Sequence, residues 1–152
     1  MKKKILSFVL ALCLIIPGIA LLSACGKSSP VGTYTLSSVT FGSETHTVEF
    51  YNALKEKYGQ TETDEWTEDK GLFESLKELF EGSLTIYENG VFVLSRPNMT
   101  MGGTWTIDGD NLILVPTTGD NAVATATYSN NTITISDEND GWNASMTYVK
   151  NA

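Results

Sequence analysis

The stretch Ser83-Leu84-Thr85-Ile86-Tyr87-Glu88-Asn89-Gly90-Val91-Phe92-Val93-Leu94-Ser95 decides the architecture. Leu84 and Ile86 alternate with polar neighbours, and the apolar pattern resumes at Val91, the period of a strand with one dry face. Asn89-Gly90 between the two runs is a strong hairpin signal, with both turn residues expected at positive φ. The same grammar continues downstream. Residues 96–102 read as a longer loop. Residues 103–108 then alternate, with Trp105 and Ile107 on one face and Thr104 and Thr106 on the other. Asp108-Gly109-Asp110 turns the chain into a strand over 111–116, and 117–121 is a turn cluster. Strands over 122–129, 132–137 and 143–150 follow, separated by Asn130-Asn131 and by a turn at 137–141.

Upstream, 31–41 reads as a strand, with Val31, Thr33 and Thr35 opposite Tyr34 and Leu36. Residues 42–49 fit either an extension of that strand or a second one. The period then changes. Phe50, Leu54 and Tyr58, with Tyr51 beside them, recur at helical spacing up to Gly59. After a polar, acidic loop at 60–69, Leu72, Phe73, Leu76, Leu79 and Phe80 form a second apolar stripe, with Asp69 placed to cap its start and Gly82 to end it. The expected fold is mainly β: an eight-stranded antiparallel meander, closing into a barrel, with a two-helix insertion at about 50–82 after the first strand. Closure is preferred over two packed sheets because it removes exposed edges.

The N-terminus carries a different signal. Lys2, Lys3 and Lys4 precede an apolar run from Ile5 to Leu22, broken by Pro17-Gly18, and then Leu22-Ser23-Ala24-Cys25. A positive start, an apolar middle and small residues before a cut form a secretory pattern. With cysteine at its end, the segment resembles the lipobox of bacterial lipoproteins. The resemblance implies cleavage after Ala24, a diacylglyceryl thioether on Cys25 and an extracytoplasmic domain held to the membrane by lipid. Two acyl chains suffice for stable anchoring where one is marginal. On this reading residues 1–24 are a signal peptide, 25–30 a lipidated tether and 31–152 the folded domain. Cys13 leaves with the signal and Cys25 is consumed by lipid, so the domain has no disulfide and depends on its core.

The chain has 152 residues and a net charge of −8; without residues 1–24, seven basic residues face eighteen acidic ones, a net charge of −11. That balance argues against nucleic acid as a partner and against electrostatic attraction to anionic lipid. One histidine, His46, and two cysteines exclude most thiol and zinc chemistry. No nucleophile motif, phosphate loop or cofactor fingerprint is present, so neither an enzyme nor a cofactor is expected. Glu62, Asp64, Glu65, Glu68 and Asp69 place five carboxylates in eight residues, without calcium-loop spacing. Asp137, Asn139 and Asp140 are similarly off-pattern, and turn chemistry explains Asp108 and Asp110.

Gly32-Thr33-Tyr34 and the run from Gly103-Thr104-Trp105 to Asp110-Asn111-Leu112 resemble recurring segments of bacterial lipocalin-like lipoproteins. The resemblance covers about 31–41 and 83–150. It implies a calycin-type barrel, in some members with a ligand cavity, and no common activity. Tyr34 stands where lipocalins carry tryptophan, and their last-strand arginine has no match unless Lys150 replaces it. The helical pair is similar in position to that of fatty-acid-binding proteins, where two helices cap the barrel mouth. The residues expected inside, as ligand lining or as core, are Tyr34, Ile86, Trp105, Leu112, Leu114, Ala124, Met146 and Tyr148. Ala122, Ala124 and Ala126 share a face with Tyr128 and leave space that a ligand or the second helix must fill. The expected function is a non-catalytic binding domain for a small apolar ligand. The alternative is an envelope protein-interaction or scaffold module with a filled barrel, working through loops 60–70, 96–102 and 117–121.

Overall fold

The computed structural model describes residues 28–59, 67–117, 123–139 and 142–152. The expected signal segment, Cys25, Ala122, most of the 60–69 and 117–121 loops and the 140–141 turn lie outside the described residues. So do Glu62, Asp64, Glu65 and Asp140.

Nine strands and two helices are described: β1 (Gly32–Phe41), β2 (Glu44–Thr47), α1 (Val48–Tyr58), α2 (Glu68–Phe80), β3 (Ser83–Ile86), β4 (Val91–Arg96), β5 (Met99–Asp108), β6 (Asn111–Pro116), β7 (Ala124–Ser129), β8 (Thr132–Asn139) and β9 (Trp142–Lys150). β3 to β9 form a continuous antiparallel meander, and β1 closes it by pairing with both β3 and β9. Eight strands therefore make a closed barrel. β2 is a ninth strand outside it. It pairs with the second half of β1, Ser38–Phe41, while β3 holds the first half, Gly32–Thr35. The helical pair accordingly follows the second strand rather than the first.

Two local features depart from the sequence reading. Only Gly90 of the Asn89-Gly90 pair has positive φ, at 80°. Tyr87 N–H donates to Val91 O, and Gly90 N–H to Tyr87 O. The loop is thus a turn followed by one left-handed residue, the three-residue hairpin solution. The two-residue turn with both φ positive occurs instead at Asn130 (48°) and Asn131 (59°), between the paired residues Ser129 and Thr132. Residues 96–102 are not a loop: β4 and β5 run on to the pair Arg96–Met99, leaving Pro97-Asn98 as the turn.

The helices start earlier than their stripes suggest. Thr47 caps α1 by accepting from Phe50 N–H, and Thr67 caps α2 by accepting from Lys70 N–H. Asp69, assigned the cap from sequence, lies in the first turn of α2, where its charge suits the positive helix end, and it accepts from Lys57 and Tyr58. α2 ends at Phe80 with Glu81 as its cap, one residue before Gly82. The inward face of α1 is Tyr51 and Leu54, with Tyr58 packed beside them. Phe50 is 42% exposed and stacks on His46 instead.

One core joins barrel and helices, from Tyr34 and Tyr148 through Phe92 and Leu112 to Phe73, Leu76 and Phe80. All of the described core lies between Ser28 and Ala152.

Candidate functional site

Strand alternation turns one face of every barrel strand inward. On β1 that parity changes midway. Ser37 is a bulge, so Leu36 pairs with Tyr148 and Ser38 with Thr147. Tyr34 and Leu36 point inward before the bulge, and Val39, fully buried, does so after it.

The barrel has two unlike ends. At one end, named the tether end after the tether expected at 25–30, lie the hairpins β3–β4, β5–β6 and β7–β8 and the segment that leads back to Ser28. This end is tied shut. Pro30 is fully buried and accepts a 2.6 Å hydrogen bond from the Tyr34 hydroxyl. The Tyr128 hydroxyl donates to Ser29 O at 2.9 Å, and Trp105 Nε1 donates to Tyr87 O at 2.8 Å. Burial, and then the neighbouring Tyr128, hold the Tyr34 hydroxyl above the usual phenol range, so it remains a donor. Lys150, the register partner of Tyr34, lays its side chain against Gly32, where a Cβ would collide with it.

Between the two ends the barrel is filled. Leu36, Phe92, Leu112, Ala126, Ile133 and Tyr148 are buried, and the Phe92 ring packs on Gly103.

The opposite end carries the helices. Gly82 leads from α2 to β3 so closely past β4 that a Cβ on it would stand 2.7 Å from Ser95 O and 3.1 Å from Arg96 Cγ. Asn98, in the β4–β5 turn, donates to Glu78 of α2. Tyr51 of α1 stacks between Phe73 and Phe80 of α2, at centroid distances of 5.9 and 5.2 Å. Inward residues of the barrel at this helix end, Leu94, Arg96, Met101, Ala124, Ile135 and Met146, are only partly buried.

Of the residues expected inside, Tyr34, Ile86, Leu112, Leu114 and Tyr148 are buried, and Trp105, Ala124 and Met146 are partly buried against the same core. They do not converge on one spot: Tyr34, Ile86 and Trp105 lie toward the tether end, Ala124 and Met146 toward the helix end. Sequence reasoning missed Arg96, because 96–102 read as loop and so had no parity. The signal was the spacing Phe92-x-Leu94-x-Arg96, which extends one strand face by two residues.

The polar candidates lie apart from this interior. His46 sits on β2 against Phe50. Asp69 forms an ion pair with Lys57 at 3.2 Å. Among the described residues no group of three or more His, Cys, Asp or Glu side chains could hold a metal ion. No helix among them is long and apolar enough to cross a membrane.

Glu81, at the end of α2, ties the helices together. Its Oε1 accepts from Lys55 Nζ at 2.6 Å and from the Tyr51 hydroxyl at 2.8 Å. The Lys55 hydrogen bond first, and the Tyr51 one second, lower its carboxyl below the ordinary 4.5. A carboxyl lowered on folding stabilises the fold above its unfolded value and loses that contribution as pH falls through the folded value. Helix-pair stability is therefore expected to decline below about pH 4.5. Glu81→Gln should be less stable at neutral pH and flatter in that range. Hydrogen exchange of α1 and α2 between pH 6 and 3 checks this, and equal slopes in both proteins would sink it.

No protein-family model matches the chain, and no curated protein matches it. Among solved structures it is similar to a DUF4847 family protein from Bacteroides vulgatus ATCC 8482. The TM-score is 0.52 at 16% identity, over 80% of this chain and 94% of that one. At that identity the likeness extends to the barrel fold.

Proposed function

We propose that the chain is an extracytoplasmic lipoprotein, anchored through lipid on Cys25, whose lipocalin-like barrel binds a small apolar ligand at its helix end without chemistry. The observation that carries the reading is the contrast between the two ends. The tether end is tied shut by Tyr34, Tyr128 and Trp105. The helix end presents partly exposed Leu94, Ala124, Ile135 and Met146 beside the helical pair, whose inner face joins the barrel core. Eight-stranded barrels stand at the size where the interior is either just filled or holds one small ligand. The anchor fits this polarity. Ser28 is three residues beyond Cys25, a reach of at most about 11 Å. A lipid there holds the closed end to the membrane and turns the helix end outward.

A second reading has its own observation. Tyr34 and Tyr148 are 0% and 1% exposed, and Phe92 occupies the space over Gly103. A core filled to that depth favours an envelope interaction module, using exposed surface such as Met99, Val115 and Val123.

Residues 26–152 titrated with an apolar fluorescent dye distinguish the two. Displaceable binding at one site per chain is expected. Absence of displaceable binding hands the case to the interaction module. In cells, Cys25→Ala is expected to move the protein entirely out of the lipid-modified membrane fraction. Unchanged fractionation would overturn the anchor.

A further inference from the structure

The chain contains a single arginine, Arg96. It occupies an inward position at the helix end of β4, two residues beyond Leu94. Its stem runs beside Gly82. Its guanidinium then crosses the mouth rather than turning out to water. Nη2 reaches the Met146 sulfur, on β9, at 3.5 Å. Around the barrel wall, β3 and β1 separate those two strands. Nε is buried and has no hydrogen-bond partner among the described residues.

That arrangement is unfavourable as it stands. A guanidinium keeps its charge under all ordinary conditions, so the buried, unpartnered Nε–H is not relieved by losing a proton. Nε and Nη2 form its side-on edge, the pair of parallel donors that fits the two oxygens of a carboxylate. Here that edge meets one thioether, a weak acceptor, and nothing else. The nearby end of α2 gives partial relief through its dipole. None of its carbonyls accepts from Nε, however. An arginine serving only as surface charge would extend its head into solvent.

We infer that the Arg96 Nε–Nη2 edge is an anion subsite and that the ligand is an amphiphile with a carboxylate head. The head pairs with Arg96 and displaces the Met146 contact, while the apolar part lies against Leu94, Ile135 and Ala124. A single negative charge suits the site better than a doubly charged head, because the domain itself carries a large acidic excess. The inference rests on the reading of the barrel as an apolar-ligand site and adds the chemical class of that ligand.

Decanoate and decanol share a tail and differ in the head, so calorimetric titration of each into residues 26–152 separates the two claims. Wild type is expected to bind decanoate about tenfold more tightly than decanol, the scale of a charge-assisted bidentate pair. Arg96→Met should abolish that preference, by loss of decanoate affinity relative to decanol in the same variant, and Arg96→Lys should keep part of it. If both probes bind wild type equally, or Arg96→Met keeps the preference, the subsite is wrong and the apolar-ligand reading survives. If neither probe binds, the apolar-ligand reading itself falls. A ligand-free melt provides an independent check. Arg96→Met removes a buried Nε–H that has no acceptor and should melt at or above the wild-type temperature. A clear fall would show that the guanidinium is already satisfied within the fold and would overturn the subsite.

Discussion

Gly103→Ala is expected to lower the melting temperature of the barrel by roughly 10 °C or more, for a change of one methyl group. Gly103 lies on β5 opposite Phe92 of β4. A Cβ there would stand 2.5 Å from Phe92 Cε1 and 2.9 Å from Cζ, and would also collide with the Val115 carbonyl oxygen. The first clash is with a side chain that has some freedom. The second is with the backbone of β6, which the β5–β6 pairing fixes in place. Relief requires the two strands to part at the level of the core, so the cost belongs at or above the usual 1–3 kcal/mol for overpacking. Trimming the ring removes only the first clash. Gly103→Ala with Phe92→Leu is therefore expected to remain well below Phe92→Leu alone. Thermal melts of the three variants decide it, and a Gly103→Ala shift within about 2 °C would mean that the sheet yields easily there.

The barrel was legible where each strand shows its alternation, as in 103–116 and 124–135, and where turn residues bracket it, as at Gly109 and Asn130-Asn131. The first half of β5 was not: Pro97-Asn98 open the segment and Gly102 ends it without a side chain, so 96–102 read as loop. Concealing the strand also concealed the inward face of Arg96. β2 was left open, as either an extension of the first strand or a second one, for a different reason. Glu44-Thr45-His46-Thr47 offers no apolar face, and its pairing comes from the Gly42-Ser43 turn folding it onto β1. Thr47 then serves twice, as the last residue of that strand and as the cap of α1. The interior residues were legible as a face, since parity assigns a side without a depth. Which end of the barrel each one occupies depends on register.

Tyr51→Ala is expected to detach the helical pair while leaving the barrel closed. The Tyr51 ring lies between Phe73 and Phe80 and is 3% exposed. Truncating a buried aromatic typically costs about 3–5 kcal/mol, which includes stacking on two partners at about 0.5–1.5 kcal/mol each. The variant also leaves Glu81 with Lys55 as its remaining hydrogen-bond donor. Every one of these losses falls on α1, α2 or their junction. The barrel retains its own closure through β1 and β9, its filled middle layer and its tied tether end. A total domain stability of about 5–15 kcal/mol is large enough for the barrel to survive a loss confined to one unit. Hydrogen exchange should therefore show amides of 48–58 and 68–80 losing protection while those of β5 to β9 keep theirs. The helical pair lies at the end where the ligand is proposed to enter, so the same variant tests its role as a lid. Ligand association and dissociation should both accelerate if the helices gate the mouth. Uniform loss of protection across helices and strands would instead mean that the pair and the barrel fold as one unit, and that entry at this end depends on unfolding the whole domain.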